Sequence, residues 1–429
     1  MNLGVVGTGY VGLVTAACLA DLGHGVIGVD RDAARIAHLG QDRVPFFESG
    51  LEDLVRRGRR SGRLRFTTDI AEAVEDAEVI FITVGTPSRQ DGTADLIEVS
   101  TVAEAIAGAL SEYRLIVEKS TVPIRTGERI RDQIQLLTKG AVPFDVACNP
   151  EFLREGSAVH DFMHPDRVVL GVTNERSERL LREVYAPLDA PMLVTDLTTA
   201  EMIKHASNAF LALKISYINA IANICERVGA DVRQVADGMG YDRRIGRAFL
   251  DAGVGYGGSC FPKDVAAFIQ IAREVGYDFR LLDEVARVNE GQREALLRHL
   301  RDALWVLRNR TIGVLGLAYK ANTDDVRDAP AVAIVEALLK EGAVVRAYDP
   351  AAEANARRIL PDITYCPDPY EAARDSDAVV VLTEWDEFRA LDLARLRDLM
   401  RRPVLIDGRN ILDPEAVRAL GFHYAGMGR

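Results

Sequence analysis

A glycine-rich strand-to-helix turn at the start of the 429-residue chain and a second strand-turn-helix-strand pattern from Arg310, apolar strands alternating with helical stretches around each, and one long apolar helical segment between them predict an α/β protein. The expected architecture is two Rossmann-like doubly wound domains joined by a central long helix and helical region. One core does not suffice at this length, and the pattern divides the chain at residues 1–196, 197–303 and 304–429.

Leu3 to Asp30 read as strand, glycine turn, helix and strand: LGVVGTGYVG, an alanine- and leucine-rich helix, then GVIGVD. Further apolar strands are expected at 77–84 (AEVIFITV), 115–119 and 142–148, separated by helical stretches as a parallel doubly wound sheet requires. From Leu197 to Val228 the pattern is an unbroken helix, apolar nearly all round. At 1.5 Å per residue it would be on the order of 45 Å long. Such a helix must be buried, linking two domains and packing against a second subunit. A second strand-turn-helix-strand unit begins at Arg310 with TIGVLGLAYK, a helix over 331–341 and AVVRAYDP. EDAEVIFITVGTP at 75–87 is echoed by RDSDAVVVLTEW at 374–385. The second copy lacks a full GxGxxG and is expected to bind something other than a dinucleotide.

The composition is 48% hydrophobic, with a net charge of −12 and an isoelectric point near 5.2. That balance argues against nucleic acid and an anionic membrane surface as partners, and leaves open an anionic small substrate held by locally gathered basic residues. Five cysteines, an odd number without a CxxC pair, indicate neither a zinc site nor a disulfide framework, and point to a reducing, cytoplasmic setting. The N-terminus has no basic n-region or cleavage site, and no apolar run is expected to reach bilayer-spanning length. No HExxH, EF-hand loop or His/Cys cluster occurs, so no metal site is expected.

Gly7, Gly9 and Gly12, with Tyr10 and Val11 between them, form GTGYVG between a strand and a helix. A pyrophosphate would sit on that helix N-terminus, and Asp30 at the end of the next strand would meet ribose hydroxyls. Asp30 repels a 2′-phosphate and so favours NAD; Arg31 and Arg35 beside it argue the other way. Thr86 in GTP and Thr121 in STVP follow strands and are candidates for the nicotinamide side of the cleft. Glu151 and Glu155 in NPEFLREG also follow a strand, although two glutamates four apart also describe a solvated helix face. Lys204 and Asn208, four apart on the long helix, share one side of it and could stabilise an alkoxide or oxyanion. The plainer reading of Lys204 is a lysine reaching water at the helix edge.

GGSCFPKD, Gly257 to Asp264, sets Cys260 just ahead of a helix start, with Ser259 as a capping residue and Pro262 in the first turn. A helix N-terminus favours thiolate, and a thiolate that captures an aldehyde permits a second hydride removal through a thioester. Asp264 follows by four residues and is a candidate base for the hydrolytic water. Taken alone, Cys260 also reads as a buried structural cysteine. Arg244, Lys320, Arg327 and Arg409 are candidate partners for a diphosphate, or surface charges.

GTGYVG, VGTP, EKSTVP, NPEFLREG, the Lys204 and Asn208 helix, FLDAGVGYGGSCFPKD, GLAYKANTDDVRD and IDGRN, in this order along the chain, resemble the UDP-glucose 6-dehydrogenase family within the UDP-glucose/GDP-mannose dehydrogenases. The resemblance implies an NAD-binding first domain, a central dimerisation region and a C-terminal domain that helps hold a UDP-sugar. It makes Cys260 the nucleophile, Lys204 and Asn208 the oxyanion and water-positioning pair, and Asp264 the base or water activator. Glu151 would assist acid/base steps, with Thr121 and Glu155 at cofactor or water. Glu151 to Glu155, including Phe152, Leu153 and Arg154, would meet the nucleotide sugar, as would Phe249, Leu250, Asp251, Ala252, Gly253, Gly257 and Lys320. Lys263 and Arg327 would meet NAD beside Arg35, Arg244 a neighbouring subunit's substrate, and Arg409 the diphosphate. The implied reaction is a four-electron oxidation of UDP-glucose to UDP-glucuronate in a cytoplasmic homodimer. The same chemistry on GDP-mannose or an N-acetylated UDP-hexosamine, a two-electron hydroxyacid dehydrogenase, and a non-catalytic nucleotide-sugar-binding protein are the alternatives. Ile124, Arg125 and Thr126 depart from the family's usual small residue and GT after STVP.

Overall fold

The computed structural model describes residues 1–89 and 91–429. They form two compact units, residues 1–207 with 266–275 and residues 208–265 with 276–429.

The first unit holds β1 (Asn2–Val6), β2 (Gly25–Val29), β3 (Leu64–Thr67), β4 (Val79–Ile82), β5 (Arg114–Glu118), β6 (Phe144–Cys148), β7 (Val168–Gly171) and β8 (Met192–Thr195). Their order in one sheet is β3-β2-β1-β4-β5-β6-β7-β8. In β4, VIFI, alternate side chains enter different cores: Val79 and Phe81 pack with Leu3, Val5 and Leu115, whereas Ile80 and Ile82 pack with Val6, Ile27 and Ile116. Both faces are therefore covered, which is why the strand reads as an unbroken apolar run. One pairing departs from the expected parallel sheet, Cys148 opposite Gly171 in antiparallel sense. The chain between β6 and β7 passes through a loop and a six-residue helix, Ala158–Met163, and returns without a full crossover helix. The sequence reading passed over β3, β7 and β8, each four residues long.

The second unit contains β9 (Thr311–Leu315), β10 (Val344–Tyr348), β11 (Thr364–Tyr365), β12 (Ala378–Val381), β13 (Val404–Asp407) and β14 (His423–Gly426). Their order is β11-β10-β9-β12-β13-β14, with parallel pairing throughout. Both sheets thus reverse their winding beside the first strand of the unit, where crevices open at strand C-terminal ends.

The predicted long helix is Leu197–Val228, 32 residues. Among the described residues it is the one helix long and apolar enough to cross a bilayer by length and composition, which corrects the expectation that no run approaches that length. The helix instead presents Glu201, Lys204, His205 and Asn208, all buried, to polar partners described below. Nor is it buried all round: Phe210, Tyr217, Ile224 and Val228 are 60%, 50%, 53% and 69% exposed.

Candidate active site

The turn after β1 is built by steric limits at three glycines. Gly7 has φ of +99°, in the left-handed region that favours glycine. A Cβ at Gly12 would lie 1.8 Å from the Gly7 carbonyl oxygen and 2.5 Å from Thr83 Oγ1, whereas one at Gly9 would meet nothing within 4 Å. Gly12 thus seats the helix Tyr10–Asp21 against the turn, and Gly9, its N-cap without a side-chain cap, leaves open space over the first helical N–H groups. That is the cradle a dinucleotide pyrophosphate requires, so the residues present fit the cofactor.

Asp30 follows β2 and is 8% exposed. It accepts from the Thr8 amide and hydroxyl at 2.9 Å each, from the Asp32 amide at 3.0 Å and from Arg35 at 2.8 Å. Burial would raise its pKa, but these donors outweigh burial and hold the carboxyl below its ordinary range. Arg35 is therefore a partner of Asp30. Tyr10 directs its hydroxyl to Glu48, and Glu48 also accepts from the Gly156 and Ala158 amides at 2.7 and 2.9 Å. A carboxylate absent from the sequence reading thereby ties the glycine turn to the loop that carries Glu155.

The segments after β4, β5 and β6 meet at the same sheet edge. Thr86 donates its hydroxyl to the Thr121 carbonyl at 2.8 Å. Lys119 donates to Asn149 at 2.9 Å; burial pushes its pKa down to about 8 against the opposing pull of Glu151. Lys204, on the long helix, donates to the Glu151 carbonyl at 2.7 Å and its carboxylate at 2.8 Å. Glu151 also accepts from the Leu153 amide at 2.6 Å. The Phe152 ring lies 5.4 Å from Lys204 Nζ, and Arg154 pairs with Asp161 at 2.6 Å. Lys204 does not reach for water: its side chain is 5% exposed, as is that of Glu151.

In the second unit Cys260 precedes the helix Phe261–Glu274, and its carbonyl accepts from the Asp264 amide at 2.8 Å, so Cys260 itself holds the N-cap position. The Ser259 hydroxyl stands 3.6 Å from its sulfur. Cys260 is partly exposed while Cys18, Cys148, Cys225 and Cys366 are buried. Asp264, 2% exposed, accepts from Asn208 Nδ2 at 2.6 Å and Lys263 Nζ at 2.8 Å. Two of the predicted catalytic groups, Asn208 and Asp264, are thus in direct contact.

The segment from Phe249 to Gly258 is pinned by three buried amides that the sequence reading missed. Asn219 accepts from the Gly253 amide at 2.8 Å, Gln292 donates to the Gly253 carbonyl at 3.1 Å, and Asn289 both accepts from and donates to the Tyr256 backbone at 2.8 and 3.0 Å. An amide on an otherwise apolar helix face is the signal that would have found them. Leu250 and Ala252 pack in the core of the unit, Phe249 has its ring 6.3 Å from that of Phe261, and Asp251 pairs with Arg247 at 2.7 Å. A Cβ at Gly257 would stand 2.3 Å from the Asp328 carbonyl oxygen. Arg409 donates to the carbonyls of Leu382, Gly255 and Tyr319 at 2.8, 3.1 and 2.8 Å, and Lys320 lies 5.6 Å from the Tyr319 ring centre. Arg327 pairs with Asp325, and Arg244, 89% exposed, with Asp242. Among the described residues no group of three or more His, Cys, Asp or Glu could hold a metal ion.

Three models of one family cover the chain: the NAD binding domain of the UDP-glucose/GDP-mannose dehydrogenase family at residues 1–189, its central domain at 198–291 and its UDP binding domain at 313–414. The chain is 48% identical to UDP-glucose 6-dehydrogenase TuaD of Bacillus subtilis, over 100% of this chain and 93% of that protein. It is 47% identical to a UDP-glucose 6-dehydrogenase of Rhizobium meliloti, over 100% of both. A solved UDP-glucose dehydrogenase from Pyrobaculum islandicum matches with a TM-score of 0.94 at 41% identity, over 100% of this chain and 97% of that one.

Proposed function

Since the chain belongs to the UDP-glucose/GDP-mannose dehydrogenase family, whose members are NAD-dependent, we propose that it oxidises the C6 hydroxyl of UDP-glucose to a carboxylate, giving UDP-glucuronate. One water enters and two hydrides leave per turnover. NAD supplies the hydride acceptor for each of the two oxidations.

The observation that carries this reading is Cys260, the partly exposed cysteine at the start of a 14-residue helix, beside the Asn208 and Asp264 contact. Its thiolate adds to the C6 aldehyde to give a thiohemiacetal, whose oxidation yields a thioester. Water opens the thioester and Cys260 leaves as the thiolate. Asp264 is held by two donors, Asn208 and Lys263, and takes the proton of that water. Lys204, buried against Glu151, carries the positive charge suited to the C6 oxyanion. Gly7 to Gly12, Asp30, Thr86, Thr121 and Glu155 serve NAD, and Phe249 to Gly253 with Gly257 the nucleotide sugar. Residues 1–196 form the cofactor domain, 197–303 the dimerisation region and 304–429 the UDP-sugar domain. The exposed Phe210, Tyr217, Ile224 and Val228, spaced at seven and four along the long helix, support a homodimer formed through that face.

With limiting UDP-glucose and excess NAD, two NADH per sugar are expected, and Cys260→Ala should form no carboxylate. One NADH per sugar, or full acid formation by Cys260→Ala, overturns the thioester route. No turnover on UDP-glucose, with turnover on GDP-mannose or an N-acetylated UDP-hexosamine, reassigns the sugar.

A further inference from the structure

Glu201 lies on the long helix one turn before Lys204 and His205, and it is 2% exposed. Its two carboxylate oxygens accept from the backbone amides of Arg125 and Gly127. Those amides open the helix Thr126–Thr138, whose N-cap, Arg125, has φ of +70° and no side-chain cap of its own. The first N–H groups of a helix have no partner within it, so a carboxylate from another element does what a capping side chain usually does. Four residues on, His205 donates Nε2–H to the Val122 carbonyl at 2.7 Å. The two side chains on one side of the long helix thus grip both ends of the stretch from Val122 to Gly127, and that stretch begins next to Thr121.

We propose that Glu201 is a positioning residue: with His205 it clasps the Val122–Gly127 segment and so fixes Thr121 at the cofactor end of the cleft. The role rests on the reading of Thr121 as a cofactor contact. Lys204, between the two clasp residues on the helix, donates to Glu151, so one helix sets both the cofactor-side segment and the Glu151 loop.

The clasp needs a carboxylate that accepts twice. A protonated carboxyl has one oxygen that donates, so one of the two amides loses its acceptor. Among the described residues, Glu118 at the end of β5, Cys148 at the end of β6 and Glu128 on the capped helix lie near Glu201, while Lys119 donates to Asn149 and Lys204 to Glu151. Burial pushes the Glu201 pKa up to about 7, opposed by the amides of Gly127 and Arg125 and reinforced by Glu128.

Amide hydrogen exchange of Arg125 and Gly127, corrected for the intrinsic rate, tests the clasp in the wild-type full-length protein without relying on turnover. Protection should fall roughly tenfold as pH drops through the neutral range, the worth of one charge-assisted hydrogen bond, and stay flat in Glu201→Gln. The KM for NAD should rise over the same pH interval in the wild type and be high and pH-independent in Glu201→Gln, with two NADH per sugar retained. Unchanged protection across that interval, or a Glu201→Gln variant with a wild-type KM profile, overturns the proposal. Protection that follows pH while KM for NAD does not move leaves a helix cap without influence on Thr121, and this too overturns it. An absence of UDP-glucose turnover with the expected exchange pattern would count against the enzymatic reading and not against the clasp.

Discussion

Replacing Lys204 with Met separates what the ion pair with Glu151 does for folding from what it does for chemistry. The two side chains are each 5% exposed and their charged atoms stand 2.8 Å apart. At an effective dielectric of about 20, that separation gives a gross attraction of about 6 kcal/mol, most of which offsets desolvation of the two charges. Removing one partner leaves Glu151 buried with the Leu153 amide as its remaining donor among the described hydrogen bonds, and breaking a buried pair costs about 3–5 kcal/mol. The single variant should unfold at correspondingly lower urea. Adding Glu151→Gln removes the stranded charge and should restore about 2–3 kcal/mol, a coupling energy typical of residues in contact. On the proposed function, turnover of UDP-glucose should stay lost in both variants, because stability returns without the cation assigned to the C6 oxyanion. The reasoning fails if Lys204→Met costs under about 1 kcal/mol, the value of an exposed pair, if the two substitutions add, or if the double variant regains turnover.

Gly9→Ala and Gly12→Ala should part company. The first meets nothing within 4 Å and should leave the melting temperature unchanged while weakening NAD, whereas the second forces a Cβ to 1.8 Å from the Gly7 oxygen and should lose about 1–3 kcal/mol of stability as well as NAD binding. Fluorescence titration with NAD beside thermal denaturation checks both, and equal NAD affinity in Gly9→Ala and wild type refutes the cradle. Glu118 is fully buried, and its oxygens find no hydrogen bond of ordinary geometry although the Ser120 donors are near. Burial raises its pKa well above 4.5, so its contribution to stability is complete below that value and is lost as pH rises through the folded pKa. Glu118→Gln has no such loss: it should melt higher than wild type in mildly alkaline buffer, with the gap closing on acidification, and a gap that widens toward acid pH contradicts the assignment.

The parts of the site that short-range geometry dictates were legible in the chain. GTGYVG needs its glycines where the backbone crowds itself, and Cys260 stands where Pro262 and the glycines before it demand a helix start. The parts built by contacts between distant residues were not. Nothing near Glu48 announces that it will accept from Gly156 and Ala158, more than a hundred residues on, and Glu201 reads as one more acid in a helix until Arg125 and Gly127 are folded against it. Arg35 shows the same limit: its charge was visible, but whether it points at a phosphate or at Asp30 depends on where the strand end places that carboxylate.

The two sheets start from the same geometry and end differently. Gly316 after β9 has φ of +98°, its amide bonds to the Tyr348 carbonyl as that of Gly7 does to Val29, each at 2.8 Å, and Asp349 follows β10 as Asp30 follows β2. Asp349, however, accepts four backbone amides, those of Leu317 and Ala318 at 2.7 and 3.0 Å and those of Ala351 and Ala352 at 2.9 and 2.7 Å. Asp30 also accepts four hydrogen bonds within its own unit, but from the Thr8 amide and hydroxyl, the Asp32 amide and Arg35, the last a side chain that can move. Where the first copy has Gly9 and Gly12, the second has Ala318 and Ala321, and its helix does not open until Pro330. Methyl groups and a delayed helix remove the open N–H cradle, so the second unit keeps the topology of a dinucleotide fold without the cradle. The dinucleotide-binding copy is therefore distinguished by the open N–H groups at its glycine turn and by the side-chain donor on its acidic residue, features that the second copy lacks among the described residues.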